Sequence, residues 1–229
     1  MTAPRKPRRQ QQRAIDTKRR IFDAAGLVFV AKGYDGASVN DIIDAADTSK
    51  GAFYRHYPDG KMSLAQAVME NTLTMNGLKP QKIKLQEVVD IGLILAYRVV
   101  TEDTLLAALL LSFHKDAPDT FGTPWPDWII FNTGQLTEAQ QRGEVKAFIS
   151  PSEQAYQVAA TWSGVVLTAS AVDRHLHHVE ERVSRLYKNL MLAIANPEVL
   201  PEIDFSADRG RRLYKAFLEE QASKELAPE

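Results

Sequence analysis

Apolar residues in the last third of the chain recur at spacings of three and four positions, and this periodicity restricts the fold more than any other feature. Residues spaced in this way lie on one face of an α-helix, whereas a strand would alternate every two residues. The apolar stripe consists of Ala155, Val158, Trp162, Val165, Ala169, Val172, Leu176, Val179, Val183, Leu186, Leu190 and Ile194. The polar stretch Asp173–His178 interrupts it and predicts a bend between two long helices. Because no segment of the chain alternates every two residues as a strand would, the sequence predicts an all-α fold.

Helix boundaries near the N-terminus predict one longer helix followed by two short ones. Ser38 followed by Asp41 resembles a capping box, Gly33 is typical of a helix end, and Pro58 breaks the chain. The expected helices are Asp16 to Gly33, Val39 to Ala46 and Ser49 to His56. Two short helices joined by a tight turn are typical of a helix-turn-helix module, although such pairs also occur in all-α proteins that bind no DNA.

Charge is distributed unevenly along the chain, although the formal net charge is −1. Residues 1–61 hold 12 Lys/Arg against 7 Asp/Glu, a net of +5, so the remainder is acidic. A basic end on an acidic body is typical of a protein that binds a polyanion; a solvating tail is the alternative. Residues 1–14 are predicted to form a disordered basic arm. Its stretch Arg5–Arg13 either lies in the minor groove of DNA or only raises non-specific affinity through counterion release.

The residues of the predicted helix-turn-helix resemble a known DNA-binding family. The chain reads Phe29-x3-Gly33-Tyr34, then Ser38-Val39-x2-Ile42-Ile43, then Ser49-Lys50-Gly51-Ala52-Phe53-Tyr54-Arg55-His56-Tyr57. Over residues 15–64 this sequence closely resembles the DNA-binding domain of the TetR family of bacterial repressors. The resemblance implies a three-helix DNA-binding domain, here residues 15–61, followed by a larger helical ligand-binding and dimerisation domain, residues 62–229.

The resemblance and the chemistry of each position assign a set of residues to DNA binding. Gly51, near the start of the second short helix, lets the backbone approach DNA closely, and Lys50 can donate to guanine O6 and N7 in the major groove. The other residues are expected to contact phosphates or to support those contacts: Ser38, Thr48, Ser49, Tyr54, Arg55, His56 and Lys61. The alternatives are packing between helices for Tyr54 and His56 and a solvated surface charge for Lys50.

Two places depart from the family pattern. The turn carries Asp47-Thr48 where the family usually has Gly and an aliphatic residue. Asp tolerates a left-handed backbone and Thr is close to Val in shape, so we expect the turn to form. Lys61 follows His56 by five residues where the family has four, so Lys61 and Arg55 are alternatives for this phosphate contact.

The second domain contains all three tryptophans, Trp125, Trp128 and Trp162. Aromatic walls are typical of small-molecule pockets. The stretch from Pro124 to Trp128 resembles the γ-butyrolactone receptor branch of the TetR family, whose members answer signalling lactones, furans or related hormones. The resemblance implies that Trp128 lines a ligand pocket and that Trp162, Val165 and Thr72 face it, with Trp125 nearby. Plain core packing is the alternative for each.

The resemblance also implies a homodimer formed through the helices around residues 152–195, because two-fold operators require a two-fold protein. The apolar stripe is the predicted interface; the alternative is that it belongs to the core of one subunit. No catalytic motif is present, and we expect neither an enzyme nor a cofactor. His175, His177 and His178 cluster near two glutamates, yet a polar bend explains them better than a metal site. No apolar segment reaches the roughly 20 residues of a membrane span, so we expect a cytoplasmic protein associated with the nucleoid.

These features predict a repressor that binds a pseudo-palindromic operator and is released from it by a small apolar ligand of butyrolactone, butenolide or furan type. The helix from Met62 to Asn76 is expected to transmit the ligand signal, because it joins the two domains. Three alternatives stay open at this point: a TetR-type sensor of drugs or metabolites, an activator or ligand-blind pseudo-receptor that regulates antibiotic biosynthesis, and a helical enzyme or adaptor that only carries this DNA-binding head.

Overall fold

A computed structural model describes residues 6–172 and 176–226, and within these residues the chain is helical without a single strand. The elements are α1 (Lys6–Gly36), α2 (Val39–Ala45), α3 (Lys50–His56), α4 (Lys61–Thr72), α5 (Lys84–Thr101), α6 (Asp103–Ser112), α7 (Ala117–Thr120), α8 (Trp125–Gln141), α9 (Pro151–Val172), α10 (Val179–Ile194) and α11 (Arg209–Leu226), with a 3₁₀ turn at Leu200–Glu202. The predicted all-α class is confirmed. In this described part of the chain, no helix combines the length and apolar character that crossing a bilayer requires.

The chain divides into two compact units that are discontinuous in sequence. Unit 1 comprises residues 1–73 and 102–124, and unit 2 comprises residues 74–101 and 125–229. The predicted division after residue 61 assigned α4 to the second domain, whereas α4 packs with α1 and α6 in unit 1. The reason is its apolar face, since Leu64, Ala65 and Val68 are fully buried. The functional division into DNA-binding and ligand-binding domains stays a prediction.

The first helix begins at Lys6, ten residues before the expected start at Asp16. Residues 6–14, predicted to be part of a disordered arm, are therefore helical. Pro7 suits a first helical turn, and the Arg and Gln residues that follow have high helix propensity. Residues 1–5, with Arg5 of the predicted arm, lie outside the described residues. The expected end at Gly33 is confirmed as a break, because Gly33 has φ 67° and kinks the helix before it continues to Gly36.

Unit 1 is organised around α1, which packs closely against α6. A Cβ at Gly26 would lie 2.7 Å from the backbone nitrogen of Thr104, so the two helices approach at backbone distance. The core also takes Ile42 and Ile43 from α2 and Phe53 from α3, of which Ile42 and Phe53 are fully buried. These apolar side chains pack the two short helices against α1.

Unit 2 is organised around α5, whose residues from Leu85 to Ala96 are all buried. A buried ion pair joins it to α11. The guanidinium of Arg209 donates from Nε to Asp90 Oδ1 (2.5 Å) and from Nη2 to Asp90 Oδ2 (2.9 Å), and the side chain of Asp90 is fully buried. A Cβ at Gly210 would lie 2.0 Å from the carbonyl oxygen of Leu93, so glycine permits this close approach of the two helices.

The apolar stripe of α9 and α10 is largely the core of unit 2. Ala155, Val158, Trp162, Val183 and Ile194 are all buried within one chain, mainly because α8 and α5 cover them. The prediction that the stripe itself forms the dimer interface is therefore wrong for these positions. The predicted bend is confirmed, since α9 ends at Val172 and α10 begins at Val179; His175 lies outside the described residues.

Candidate DNA interface and ligand-binding residues

The start of α2 is fixed by the capping box that the sequence predicts. Ser38 Oγ accepts a hydrogen bond from Asp41 N (3.1 Å), and Asp41 Oδ2 accepts one from Ser38 N (2.9 Å). Lys32 of α1 donates to the same carboxylate through its Nζ, at 2.7 Å from Oδ1. These hydrogen bonds lower the pKa of Asp41 to about 2, the one from Lys32 contributing most. The carboxylate thus stays charged and ties α2 to α1.

The turn between the short helices forms as expected with Asp47 in place of glycine. Asp47 adopts a left-handed backbone with φ 46°, and its carbonyl oxygen accepts a hydrogen bond from Arg20 Nη1 at 3.2 Å. Ser49 then caps α3, because its Oγ accepts a hydrogen bond from Ala52 N at 3.2 Å. Thr48 lies half-buried in this turn. The left-handed Asp47, held by Arg20, and the Ser49 cap therefore define the turn between α2 and α3.

The outward face of α3 carries the predicted recognition residues. Lys50, Gly51, Tyr54 and Arg55 are exposed, while Phe53 points into the core of unit 1. A Cβ at Gly51 would meet nothing within 4 Å, so the fold of this chain gives no reason for a glycine there. Glycine inside an exposed helix costs about 1 kcal/mol relative to alanine. A close approach by another molecule is a physical reason for accepting that cost.

His56 lies at the last turn of α3 among cations. Its imidazole is half-buried, and its pKa is lowered from 6.5 by burial first and then by the charges of Lys18 and Arg55. Lys18 belongs to α1 and Arg55 to α3, so two helices contribute positive charge around the ring. Such a cluster suits a phosphate group.

Lys61 has a structural role that the sequence did not indicate. Its Nζ donates to the carbonyl oxygens of Tyr34 (2.6 Å) and Ala37 (2.9 Å) and lies 4.3 Å from the centroid of the Tyr34 ring. Two of the three ammonium protons thus close the end of α1, and one remains for a phosphate. The added residue before Lys61 places it at the first position of α4, after Gly60 with φ 66°. Its predicted DNA contact stays a prediction.

The predicted ligand residues are distributed over both units. Trp128 and Trp162 are buried in unit 2, and Trp162 Nε1 donates to the carbonyl oxygen of Gly92 at 3.0 Å. Thr72 is buried in unit 1, where its hydroxyl donates to the carbonyl of Val68. Trp125 is half-buried at the first position of α8. Val165 instead lines an open groove of about 570 Å³ on the outer side of α9 and α10.

The DNA-binding part of the chain matches a family model. The model for bacterial regulatory proteins of the tetR family matches residues 21–68, from the middle of α1 through most of α4. The A-factor receptor protein of Streptomyces griseus is 31% identical over 197 residues, covering 85% of this chain and 69% of that protein. The chain belongs to the TetR family. The predicted family is confirmed, as is the predicted likeness to the hormone-receptor branch.

Solved TetR-family structures share the fold along nearly the whole chain. Full-length native TylP, a TetR regulator from Streptomyces fradiae, superposes with a TM-score of 0.79 at 28% identity, covering 90% of this chain and 99% of that one. A γ-butyrolactone receptor described as ArpA-like has a TM-score of 0.68 at 20% identity, over 90% and 99% of the two chains, which shows the fold alone. The likeness therefore includes both units of this TetR-family regulator.

Asn132 is a candidate ligand residue that sequence reasoning missed. It is fully buried one turn after Trp128, and its Nδ2 donates to the Trp128 carbonyl oxygen at 2.9 Å. A flipped amide would bring two oxygens together, so this assignment is fixed by chemistry. Its Oδ1 then has no hydrogen-bond partner among the described residues, and the same holds for the buried hydroxyl of Tyr187. The spacing of four from Trp128 was the available signal, since it places both residues on one face of α8.

Proposed function

We propose that this TetR-family protein is a dimeric transcriptional repressor that leaves its operator when a small apolar signalling molecule binds in unit 2. The outward face of α3 carries the DNA-binding part of the proposal, above all Gly51, where an added Cβ would meet nothing within 4 Å. Similarity to the A-factor receptor, which extends over 85% of this chain, supports the ligand-binding part. A butyrolactone, butenolide or furan-like compound is the proposed class of ligand.

In this proposal α3 enters the major groove of a pseudo-palindromic operator. Lys50 donates to guanine O6 and N7, while Gly51 lets the helix approach the bases. Tyr54, Arg55 and His56 contact phosphates on one side, and the capped N-termini at Ser38 and at Ser49, with Thr48 beside it, face phosphates on the other. Phosphate contacts fix the register of the helix, and the Lys50 contact reads sequence.

The proposed dimer interface is the outer face of α9 and α10, next to the buried stripe rather than on it. This face exposes Val172 (79%), and the groove on it is lined by Gly164, Val165 and Val172. A Cβ at Gly164 would meet nothing within 4 Å, so glycine there serves no contact within the chain. An apolar groove with a small residue at its floor suits close packing against the helices of a second subunit. The two recognition helices would then lie about 34–36 Å apart, one turn of DNA.

The proposed ligand site is the buried aromatic region of unit 2. Trp128 and Trp162 supply apolar walls, and Asn132 supplies a hydrogen-bond acceptor that has no partner among the described residues. The contributions of Thr72, Trp125 and Val165 stay predictions. The ligand would bind better to a conformation that holds the recognition helices at another spacing. Operator affinity would then fall, at most by the ratio of the ligand's affinities for the two conformations.

A mobility-shift assay tests the proposal with DNA from just upstream of the protein's own gene, with and without an apolar extract of a culture of the source organism. We expect a shift that the extract reverses. Lys50→Ala should lose the shift, whereas Trp128→Ala should keep the shift and lose its reversal. A shift that no extract reverses would indicate a ligand-blind regulator. No shift with wild-type protein on any genomic fragment would contradict the DNA-binding proposal itself.

A further inference from the structure

The segment with α6 and α7 belongs to unit 1 but is joined to unit 2 at both of its ends. The chain passes from unit 2 into unit 1 between Thr101 and Glu102 and returns between Pro124 and Trp125. Trp125 is the first residue of α8, and Trp128 follows within its first turn. Only residues 122–124 therefore lie between the start of α8 and Phe121 in the segment 113–124.

Two side chains of the segment 113–124, His114 and Phe121, contact two side chains at the end of α1, Tyr34 and Asp35. We call these four residues the latch. His114 Nε2 lies 3.2 Å from Asp35 Oδ2. The ring of Tyr34 lies 4.8 Å from that of Phe121 and 5.6 Å, edge-on, from that of His114, measured between centroids. His114 and Phe121 are 6.0 Å apart. The latch thus combines one directional hydrogen bond with a three-ring cluster.

The tautomer of His114 is fixed by its second hydrogen bond. The backbone nitrogen of Asp116 donates to His114 Nδ1 at 3.2 Å, so in the neutral ring the proton resides on Nε2. Nε2 then donates to Asp35, whose pKa is lowered, most strongly by this hydrogen bond. The carboxylate of Asp35 is 80% exposed, while the ring of His114 is only 17% exposed. A mostly solvated acid is held in place by a mostly buried partner from α6–α7.

The latch acts at the junction that positions the recognition module. Tyr34 and Asp35 lie between the break at Gly33 and the Ser38 cap of α2, and the Tyr34 carbonyl is one of the two that Lys61 holds. At its other end, Phe121 precedes Trp128 by seven residues. The chain from Phe121 to Trp128, together with the latch contacts, therefore connects the proposed ligand site to the end of α1, just before α2.

We infer that the latch is the positioning contact through which ligand binding in unit 2 moves the helix-turn-helix, with His114 and Asp35 as its hydrogen-bonded pair. This inference rests on the proposed function. It differs from transmission through α4, which the sequence favoured, because the signal runs from α8 back along α7 to the end of α1. Since α2 and α3 keep their own caps, breaking the latch should uncouple release from binding without dismantling the DNA-binding surface.

The test uses the full-length protein and the variants Asp35→Ala, His114→Ala and the double variant, with Asp119→Ala on the exposed side of α7 as the matched control. Operator affinity is measured by fluorescence anisotropy of labelled DNA. Binding of the apolar culture extract is followed by intrinsic fluorescence, which reports on unit 2 because all three tryptophans lie there. Amide hydrogen exchange of residues 34–45 reports on the junction itself.

We expect all variants to keep operator affinity within about twofold and to keep the extract-induced fluorescence change. Asp35→Ala and His114→Ala should each reduce extract-driven release at least fivefold, the double variant no more than either single one, and Asp119→Ala not at all. Release that stays at the wild-type level in both single variants would overturn the latch. If the extract fails to release even the wild-type protein, the proposed function fails and the latch inference that rests on it fails too; faster exchange of residues 34–45 in His114→Ala would then show a structural contact only.

Discussion

Each of the two units of this protein is stabilised internally by its own kind of contact, and the two kinds differ in the sequence distance between the residues they join. In the helix-turn-helix, the contacts that begin α2 and α3 and form the turn between them join residues three to five apart, such as Ser38 with Asp41 and Thr48 with Ile43. In unit 2, the decisive contacts join residues far apart in the chain, such as Trp162 with Gly92 and Arg209 with Asp90. The DNA-binding surface is therefore a local motif resting on a helix, whereas the proposed ligand site depends on the packing of a whole domain.

The largest expected effect comes from breaking the buried ion pair of unit 2. Arg209→Ala would leave the fully buried carboxylate of Asp90 without its cation, which costs about 3–5 kcal/mol. Arg212→Ala is the matched control, because its pair with Asp208 is more than half exposed and contributes at most about 1 kcal/mol. Urea denaturation followed by circular dichroism measures both. Equal losses in the two variants would show that long-range polar contacts do not hold unit 2.

Two glycine substitutions sharpen the comparison further. Gly92→Ala would place a Cβ 2.1–2.3 Å from the ring of Tyr187, so we expect a loss of about 1–3 kcal/mol of stability from overpacking. Gly51→Ala meets nothing within 4 Å and should raise stability by up to about 1 kcal/mol while operator affinity falls at least tenfold. Thermal unfolding and DNA anisotropy on the same two variants check the contrast. Gly51→Ala with unchanged affinity would show that α3 does not approach DNA at this residue.

This difference in range also explains what the sequence could predict. The Ser38 capping box, the left-handed Asp47 and the Ser49 cap follow from residue types at fixed short spacings, and the structure confirms all three. The apolar stripe predicted helices correctly, but periodicity alone does not say whether a face is covered by α8 or by a second subunit. Lys61 and Asn132 illustrate the same limit: the partners of Lys61 are the carbonyls of residues 24 and 27 positions away, and the burial of Asn132 depends on helices elsewhere in the chain.

Asn132 offers a smaller effect that separates ligand binding from folding. Asn132→Leu removes a buried acceptor without a partner together with one hydrogen bond, so we expect stability to change by less than about 1 kcal/mol. The fluorescence response to the culture extract should be lost. Thr133→Val is the matched control. It also removes a hydrogen bond, from the Thr133 hydroxyl to the carbonyl oxygen of Ile129, but it leaves Asn132 Oδ1 in place. A variant that still responds to the extract would exclude Asn132 Oδ1 as a ligand contact.

The smallest expected effect is a dependence of operator affinity on pH, with a sign opposite to that of stability. Burial, Lys18 and Arg55 lower the pKa of His56 in the free protein, so its contribution to stability is lost as pH falls through about 6.5, where the unfolded chain takes up the proton more readily. A bound phosphate would add a negative charge beside the ring and raise this pKa again, so the complex takes up a proton. Operator affinity should therefore fall as pH rises from about 6 to 8, by less than about tenfold per pH unit and subunit.

His56→Gln should flatten this dependence while leaving the affinity at pH 8 nearly unchanged, which anisotropy titrations at several pH values measure. An equal slope in wild type and His56→Gln would place the phosphate elsewhere and leave the cluster of Lys18, Arg55 and His56 as part of the support for α3 rather than of the DNA contact.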